Sequence, residues 1–248
     1  MHLLLKPVTK TNKNKRSRER VSGHFITFEG GEGAGKSTQI ARLKTYLEGM
    51  GQSVVVTREP GGSPGAEKIR TMLLSGGAKD LGPRGEAMLF AAARADHVDT
   101  TIKPALERGD WVLCDRYADS TWVYQGEAGV DREYLKLLET AAVAGVYPDL
   151  TILIDVPVEI GLGRVAERSR TDNSGGPDRF EDEDLKVHQR RRELFLELAK
   201  IESFRFAVID GSKGLDEVAA AIREAVQKTF SNDLPQAKST TSIPAEAH

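Results

Sequence analysis

The sequence predicts an α/β fold, a doubly wound, five-stranded parallel sheet flanked by helices. Three observations carry this expectation. Between residues 24 and 230, five short apolar runs alternate with longer segments of helical periodicity. The runs are continuous in β-branched and other apolar residues, as expected of strands covered on both faces. A glycine-rich turn joins the first run directly to the first helical segment.

Strands are expected at 25–28, 54–57, 111–115, 150–155 and 206–209. Helical periodicity covers 36–49 after the first strand, then 66–74 and 85–108 after the second, and 131–145 after the third. Gly49, Gly109 and Gly145 stand where three of these helices stop. Beyond the fourth strand the pattern resumes at 158–167 and 183–201, and it closes with 215–229 after the fifth. Residues 169–177 include Asp172, Asn173, Gly175 and Gly176, and read as a mobile loop. Residues 231–248 hold too few apolar side chains to pack and are expected to be a disordered tail.

A formal net charge of -2 and 39% hydrophobic residues fit a soluble globular protein. No apolar run approaches the roughly 20 residues that cross a bilayer, and the apolar opening precedes the basic residues, the reverse of a secretion signal. A cytoplasmic location is therefore expected. Lys6, Lys10, Lys13, Lys15, Arg16, Arg18 and Arg20 crowd residues 1–22, opposed by Glu19 alone. This segment reads as a solvated basic tail, and the more acidic remainder argues against a nucleic-acid-binding core. The single cysteine, Cys114, falls in an apolar run and implies no disulfide.

Gly30, Gly31, Glu32, Gly33, Ala34, Gly35, Lys36 and Ser37 satisfy G-x-x-x-x-G-K-[ST], with an apolar strand before and a helical segment after. Glycines let backbone amides turn inward around phosphate oxygens. Lys36 then meets the β and γ phosphates, Ser37 ligates Mg²⁺, and the helix behind points its positive end at the anion. Together with Thr38, these residues are the expected ATP site of a P-loop NTPase-type fold. No Asn-Lys-x-Asp segment follows the loop, which argues against a GTPase switch.

Arg58-Glu59-Pro60-Gly61-Gly62-Ser63-Pro64 follows the second strand, and Asp115-Arg116-Tyr117 ends the third. Ser120 and Tyr124-Gln125-Gly126 come next. Pro148-Asp149-Leu150-Thr151 then leads to Asp155-Val156 and Arg164. In this order and spacing the segments resemble the thymidylate kinase family of nucleoside monophosphate kinases, over almost the whole of 24–230. The resemblance implies a kinase domain at 23–230 with a lid at about 168–180, acting as a homodimer on ATP and dTMP with Mg²⁺ and supplying dTTP synthesis. Arg58 and Arg116 fall at strand carboxyl ends, where open α/β sheets bind ligands, and Asp115 there suits a Mg²⁺ ligand beside Ser37. Phe90 and Arg94, four residues apart on one helical face, would stack on thymine and bond its carbonyl. Glu32 matches a contact to the sugar 3′-hydroxyl, Tyr124 and Gln125 lie near sugar and base, and Arg70 lies near the acceptor phosphate.

The acceptor is already an anionic phosphate, so catalysis is a matter of alignment and charge neutralisation rather than of a general base. One subset of the family places an arginine in the phosphate loop where this chain has Gly33. The other subset, which this chain resembles, supplies the charge from the lid. Arg168 aligns with the catalytic lid arginine, and Arg179 falls at the lid's far end, near adenine. The catalytic set expected is thus Lys36, Asp115, Arg116 and Arg168. Two rivals remain at this stage: a P-loop kinase for another nucleotide or nucleoside, and a nucleotide-regulated binding protein working through its basic arm.

Overall fold

Along the first strand, successive side chains enter opposite layers, as the two-residue period of an extended chain requires. Ile26 and Phe28 pack with Ile40, Leu43 and Leu47 from one helix and Val218, Ile222 and Val226 from another. Phe25 packs on the other side with Val98, Ile102, Ala105 and Tyr117. Apolar side chains on both sides of this strand therefore report two covered faces, and each contributes about 1.5–3 kcal/mol on full burial.

The computed structural model describes residues 23–171, 180 and 183–234. Its strands are β1 (His24–Glu29), β2 (Val54–Arg58), β3 (Trp111–Asp115), β4 (Leu150–Asp155) and β5 (Phe206–Asp210). They form one sheet in the order β2-β3-β1-β4-β5, every pair parallel. The helices are α1 (Lys36–Gly49), α2 (Pro64–Leu74), α3 (Gly82–His97), α4 (Lys103–Glu107), α5 (Ala118–Glu127), α6 (Arg132–Val143), α7 (Val158–Thr171), α8 (Leu185–Ile201) and α9 (Leu215–Thr229). The doubly wound, five-stranded α/β fold expected from the sequence is borne out. None of the helices among the described residues is long and apolar enough to cross a membrane.

Three local departures from expectation have physical causes. The single helix expected over 85–108 is divided: α3 runs into a π-helical turn at Val98–Ile102 before α4. Pro104 lacks an N–H and its ring crowds the carbonyl four residues earlier, which a regular α-helix could not accommodate. The helix α5 was not marked by periodicity, because buried Asp119, Thr121 and Gln125 interrupt any apolar stripe. It is held from beneath instead: Arg205, at the entry to β5, grips Asp119 with bonds of 2.8 and 2.7 Å. Finally, α7 continues past 167 to Thr171, so Arg168 and Arg170 stand on a helix rather than in a loop. The rest of the expected lid, 172–179 with Arg179, lies outside the described residues. At the other end, the packed chain runs past 230, since Leu234 joins the cluster around Ile26 and Phe28.

Candidate active site

The phosphate loop leaves β1 at Glu29 and enters α1 at Lys36. Gly30, Gly33 and Gly35 take φ of 137°, 66° and 92°, left-handed conformations that a side chain disfavours. Gly35 is the N-cap of α1 and offers no side-chain hydrogen bond to the first turn, so those N–H groups remain an anion-binding end. The Lys36 ammonium donates to the Gly30 and Gly31 carbonyls at 3.2 and 3.1 Å. Burial, and then the neighbouring Arg116, pull its pKa below the ordinary lysine value.

The hydroxyl of Ser37 donates to Asp115 Oδ2 at 2.8 Å, bringing a hydroxyl and a carboxylate side by side at the mouth of the loop. Two hard oxygen donors fit Mg²⁺, which keeps most of its shell for water and phosphate oxygens. Among the described residues no cluster of three or more His, Cys, Asp or Glu offers a fuller cage.

Next to Asp115, Arg116 has φ 68° and turns its guanidinium back over the loop. It donates to Glu32 Oε1 at 2.7 Å and to Gly30 O and Ser120 Oγ at 3.2 Å each. Tyr124 donates its hydroxyl to the same Glu32 oxygen at 2.6 Å. Burial alone would raise the Glu32 carboxyl, but Arg116, Lys36 and the Tyr124 hydroxyl outweigh it and hold the group down at about 2. Glu32 is thus a fixed carboxylate between the loop and α5.

Behind Arg116 lies Glu29, fully buried. Its carboxylate accepts the Tyr117 amide at 2.8 Å and the Ser120 hydroxyl at 2.7 Å. Burial, and then Asp119, push its pKa up to about 7 against the pull of Arg116 and these two donors.

The second half of the site is built on α3. Phe90, Arg94 and His97 recur at i, i+4 and i+7 and share one helical face. Arg94 is 2% exposed. Its Nε donates to Glu59 Oε2 at 2.8 Å, and its Nη2 donates to the Tyr117 carbonyl at 3.1 Å and the Thr121 hydroxyl at 3.0 Å. The Nη1 edge is the part of the guanidinium outside these bonds. Its charge is matched by Glu59, so the residue presents a single donor edge rather than a free cationic fork.

A cleft of about 470 Å³ joins the two halves. Its lining includes Glu32, Gly33, Ala34, Gly35, Lys36, Ser37 and Thr38 from the loop, and Arg58, Arg70, Phe90, Arg94, Asp115, Arg116, Tyr124, Gln125 and Arg168 from elsewhere. Gly30 and Gly31 form the loop's rear wall, against β4 and α8. Of the residues anticipated from sequence, only Arg179 is not among those described. Arg58 is half exposed and paired with Glu67 at 3.0 Å, while Arg70 donates to the Pro60 carbonyl at 2.6 Å. Both stand at the rim. Phe180 adds a ring 5.6 Å from Tyr124 and 6.4 Å from Phe90.

Sequence reading missed two groups of residues. Glu59 lies within a segment already singled out, but its task shows only in three dimensions: with Oε1 it meets His97 Nδ1 at 3.0 Å, and His97 Nε2 meets Thr57 Oγ1 at 2.6 Å. This buried relay locks Arg94 from behind. The second group is a glycine pair. A methyl group added at Gly33 would collide with the Gly161 carbonyl oxygen, and one at Gly161 with the Glu32 carbonyl oxygen. The phosphate loop and the first turn of α7 therefore touch backbone to backbone.

Comparison with known proteins fits this geometry. A family model described as thymidylate kinase matches residues 28–222. The thymidylate kinase of Nitrobacter winogradskyi is 54% identical over 201 residues, 81% of this chain and 86% of that protein. The thymidylate kinase of Bradyrhizobium diazoefficiens is 50% identical over 222 residues, 89% of this chain and 95% of that protein. With its phosphate loop, the cleft beside it and this extent of likeness, the chain belongs to the thymidylate kinase family.

Proposed function

We propose that the enzyme transfers the γ-phosphoryl group of ATP to the phosphate of dTMP, yielding ADP and dTDP and so supplying dTTP synthesis. One observation carries this reading: a single cleft is lined at one end by Lys36 and Ser37 and at the other by Phe90 and Arg94. A phosphate oxygen of dTMP attacks the γ-phosphorus as its bond to the β-γ bridging oxygen breaks, and ADP departs with that oxygen.

Each residue's role follows from its surroundings. Lys36 holds the β and γ phosphates, with the loop amides around them. Arg116, already turned over the loop, lies between donor and acceptor phosphates, while Arg58 and Arg70 hold the acceptor phosphate from the rim. Ser37 and Asp115 would hold Mg²⁺, which would supply positive charge to offset that of the phosphates. Arg168 reaches the transferring group from α7, and Arg179 takes the adenine side.

Arg94, neutralised by Glu59 and left with one donor edge, suits a neutral carbonyl better than a phosphate, and Phe90 beside it supplies a stacking face. Glu32 accepts from the 3′-hydroxyl. Tyr124, pinned by its bond to Glu32, would obstruct a 2′-hydroxyl and so favour deoxyribose, with Gln125 buried alongside. A homodimer completes the proposal, supported by the exposed apolar side chains of Met88 on α3 and Leu137 on the adjoining α6.

A coupled assay with ATP, Mg²⁺ and a panel of dTMP, dUMP, dCMP, GMP and thymidine tests the activity. Turnover of about 1–100 per second with dTMP is expected. Folded, ATP-binding protein that forms no dTDP overturns it.

A further inference from the structure

Arg168 stands on α7 seven residues after Gly161, so the two share one face of the helix, two turns apart. The lower end of that face rests on the phosphate loop through the Gly33–Gly161 contact, where neither residue has room for a methyl group. Gly33 also holds φ 66°, so its freedom from a side chain is required twice over. A backbone-on-backbone contact has no rotamer that can yield, and close-packed groups transmit a displacement rather than absorb it. Gly163, two residues further along the same helix, differs: a methyl there meets nothing within 4 Å.

We propose that Gly161, seated on Gly33, is a positioning residue that sets where Arg168 enters the cleft. The contact fixes the height and rotation of α7 on the phosphate loop, and two turns later that register delivers the guanidinium to the transferring phosphoryl group. A side chain of any size at position 33 removes the contact. The inference rests on the reading of Arg168 as the residue that supplies charge to the transition state.

Four variants test it: Gly161→Ala, Gly163→Ala, Arg168→Ala, and the double variant Gly161→Ala with Arg168→Ala. Gly161→Ala is expected to lower kcat about 10- to 100-fold, the cost of misplacing a catalytic group by about 1 Å, with KM for dTMP and ATP little changed. Gly163→Ala makes the same chemical change on the same helix and is expected to leave kcat unaltered. In the Arg168→Ala background, Gly161→Ala is expected to cause no further loss, because it acts only through that arginine. Normal kcat in Gly161→Ala, or losses that multiply in the double variant, overturn the proposal. Near-normal turnover by Arg168→Ala instead removes the underlying reading of that arginine. Should Gly161→Ala not fold, Gly33→Ala presses on the same contact from the loop side; it also strains the loop and raises KM for ATP, so the expectation read from it is that its loss of kcat at saturating ATP vanishes in the Arg168→Ala background. Failure of both to fold, while Gly163→Ala folds, makes the contact a requirement of folding and also overturns the proposal.

Discussion

The two ends of the cleft are built from different materials. The phosphate loop is backbone: consecutive residues, glycines in left-handed conformations and the open end of α1. The other end is held mainly by side chains: Arg94 from α3 is fixed by Glu59 after β2, by Thr121 from α5 and by the backbone carbonyl of Tyr117 after β3, through bonds spanning 23 to 35 residues of sequence. Under the proposed function, backbone recognises what all nucleoside triphosphates share, a chain of phosphates, and side chains held by other groups recognise what distinguishes one acceptor from another. The difference predicts that damage to the loop abolishes turnover of every acceptor, whereas damage to the acceptor end changes which acceptor is used.

The largest effect is expected at the loop. Lys36 is buried against two loop carbonyls and is the loop's own cation. Lys36→Ala is expected to lower kcat/KM by at least about 10³-fold, equally for dTMP and dUMP, as measured in the coupled assay. A loss that depended on the acceptor would break the division between the two ends. Arg168→Ala comes next, with kcat lower by at least about 100-fold and a much smaller change in KM for dTMP, the pattern of an interaction made mainly in the transition state. Single-turnover rates would check this, and a near-normal rate would move the catalytic charge elsewhere.

The same division explains what the sequence made legible. A loop made of local backbone leaves a local signature, so Gly30 to Ser37 could be read from spacing alone. The three central strands were legible for a similar reason, because burial on both faces removes most polar residues from consecutive positions, while the edge strands β2 and β5 kept apolar runs although Val56 and Val208 stand about half exposed. Glu59 and His97 are 38 residues apart, and Gly33 and Gly161 lie on different helix-strand units. No periodicity records such pairings, since each partner satisfies its own local rules and only the packed sheet brings them together. The π-helical turn before Pro104 had a visible cause in the proline, but its extent depends on how α4 packs beneath β3. Within α5, buried Asp119 disguises the helix because its partner, Arg205, is 86 residues away.

Glu29 stands where the two ends meet, at the head of the phosphate loop and under the turn that carries Arg116. Its folded carboxyl lies at about 7, above the ordinary 4.5. The stability it contributes is therefore fully present below about pH 4.5 and is lost as pH rises through about 7. Glu29→Gln cannot ionise, so the stability of the wild type relative to this variant is expected to fall by about 2–3 kcal/mol between about pH 5 and pH 8. Denaturant unfolding of both proteins at the two pH values measures the difference. A constant difference would show that Glu29 is charged throughout and that Arg116 and the two donors balance its burial.

Arg94 is where the comparison is sharpest, because it is an arginine that the structure has made unlike a phosphate ligand. Glu59 matches its charge, and Tyr117 and Thr121 occupy a second nitrogen, so what remains for a ligand is one N–H edge at the floor of the cleft. An acceptor with a carbonyl at that place completes the set, whereas one with an amino group, such as dCMP, sets donor against donor. Arg94→Ala is expected to lower the ratio of kcat/KM for dTMP over dCMP by about 5- to 150-fold, the value of about 1–3 kcal/mol for a hydrogen bond to a buried group. The variant also melts at lower temperature, since Glu59 is left as a buried carboxylate without its counter-charge, but that loss falls on both acceptors alike and cancels from the ratio. ATP affinity, read by titration calorimetry without acceptor, is expected to stay within about a factor of three, because Arg94 touches none of the loop and the two ends couple only through packing. Equal losses for dTMP and dCMP would mean that Arg94 only braces α3 against β3, and acceptor choice would then belong to Phe90 and the ring of Phe180 facing it.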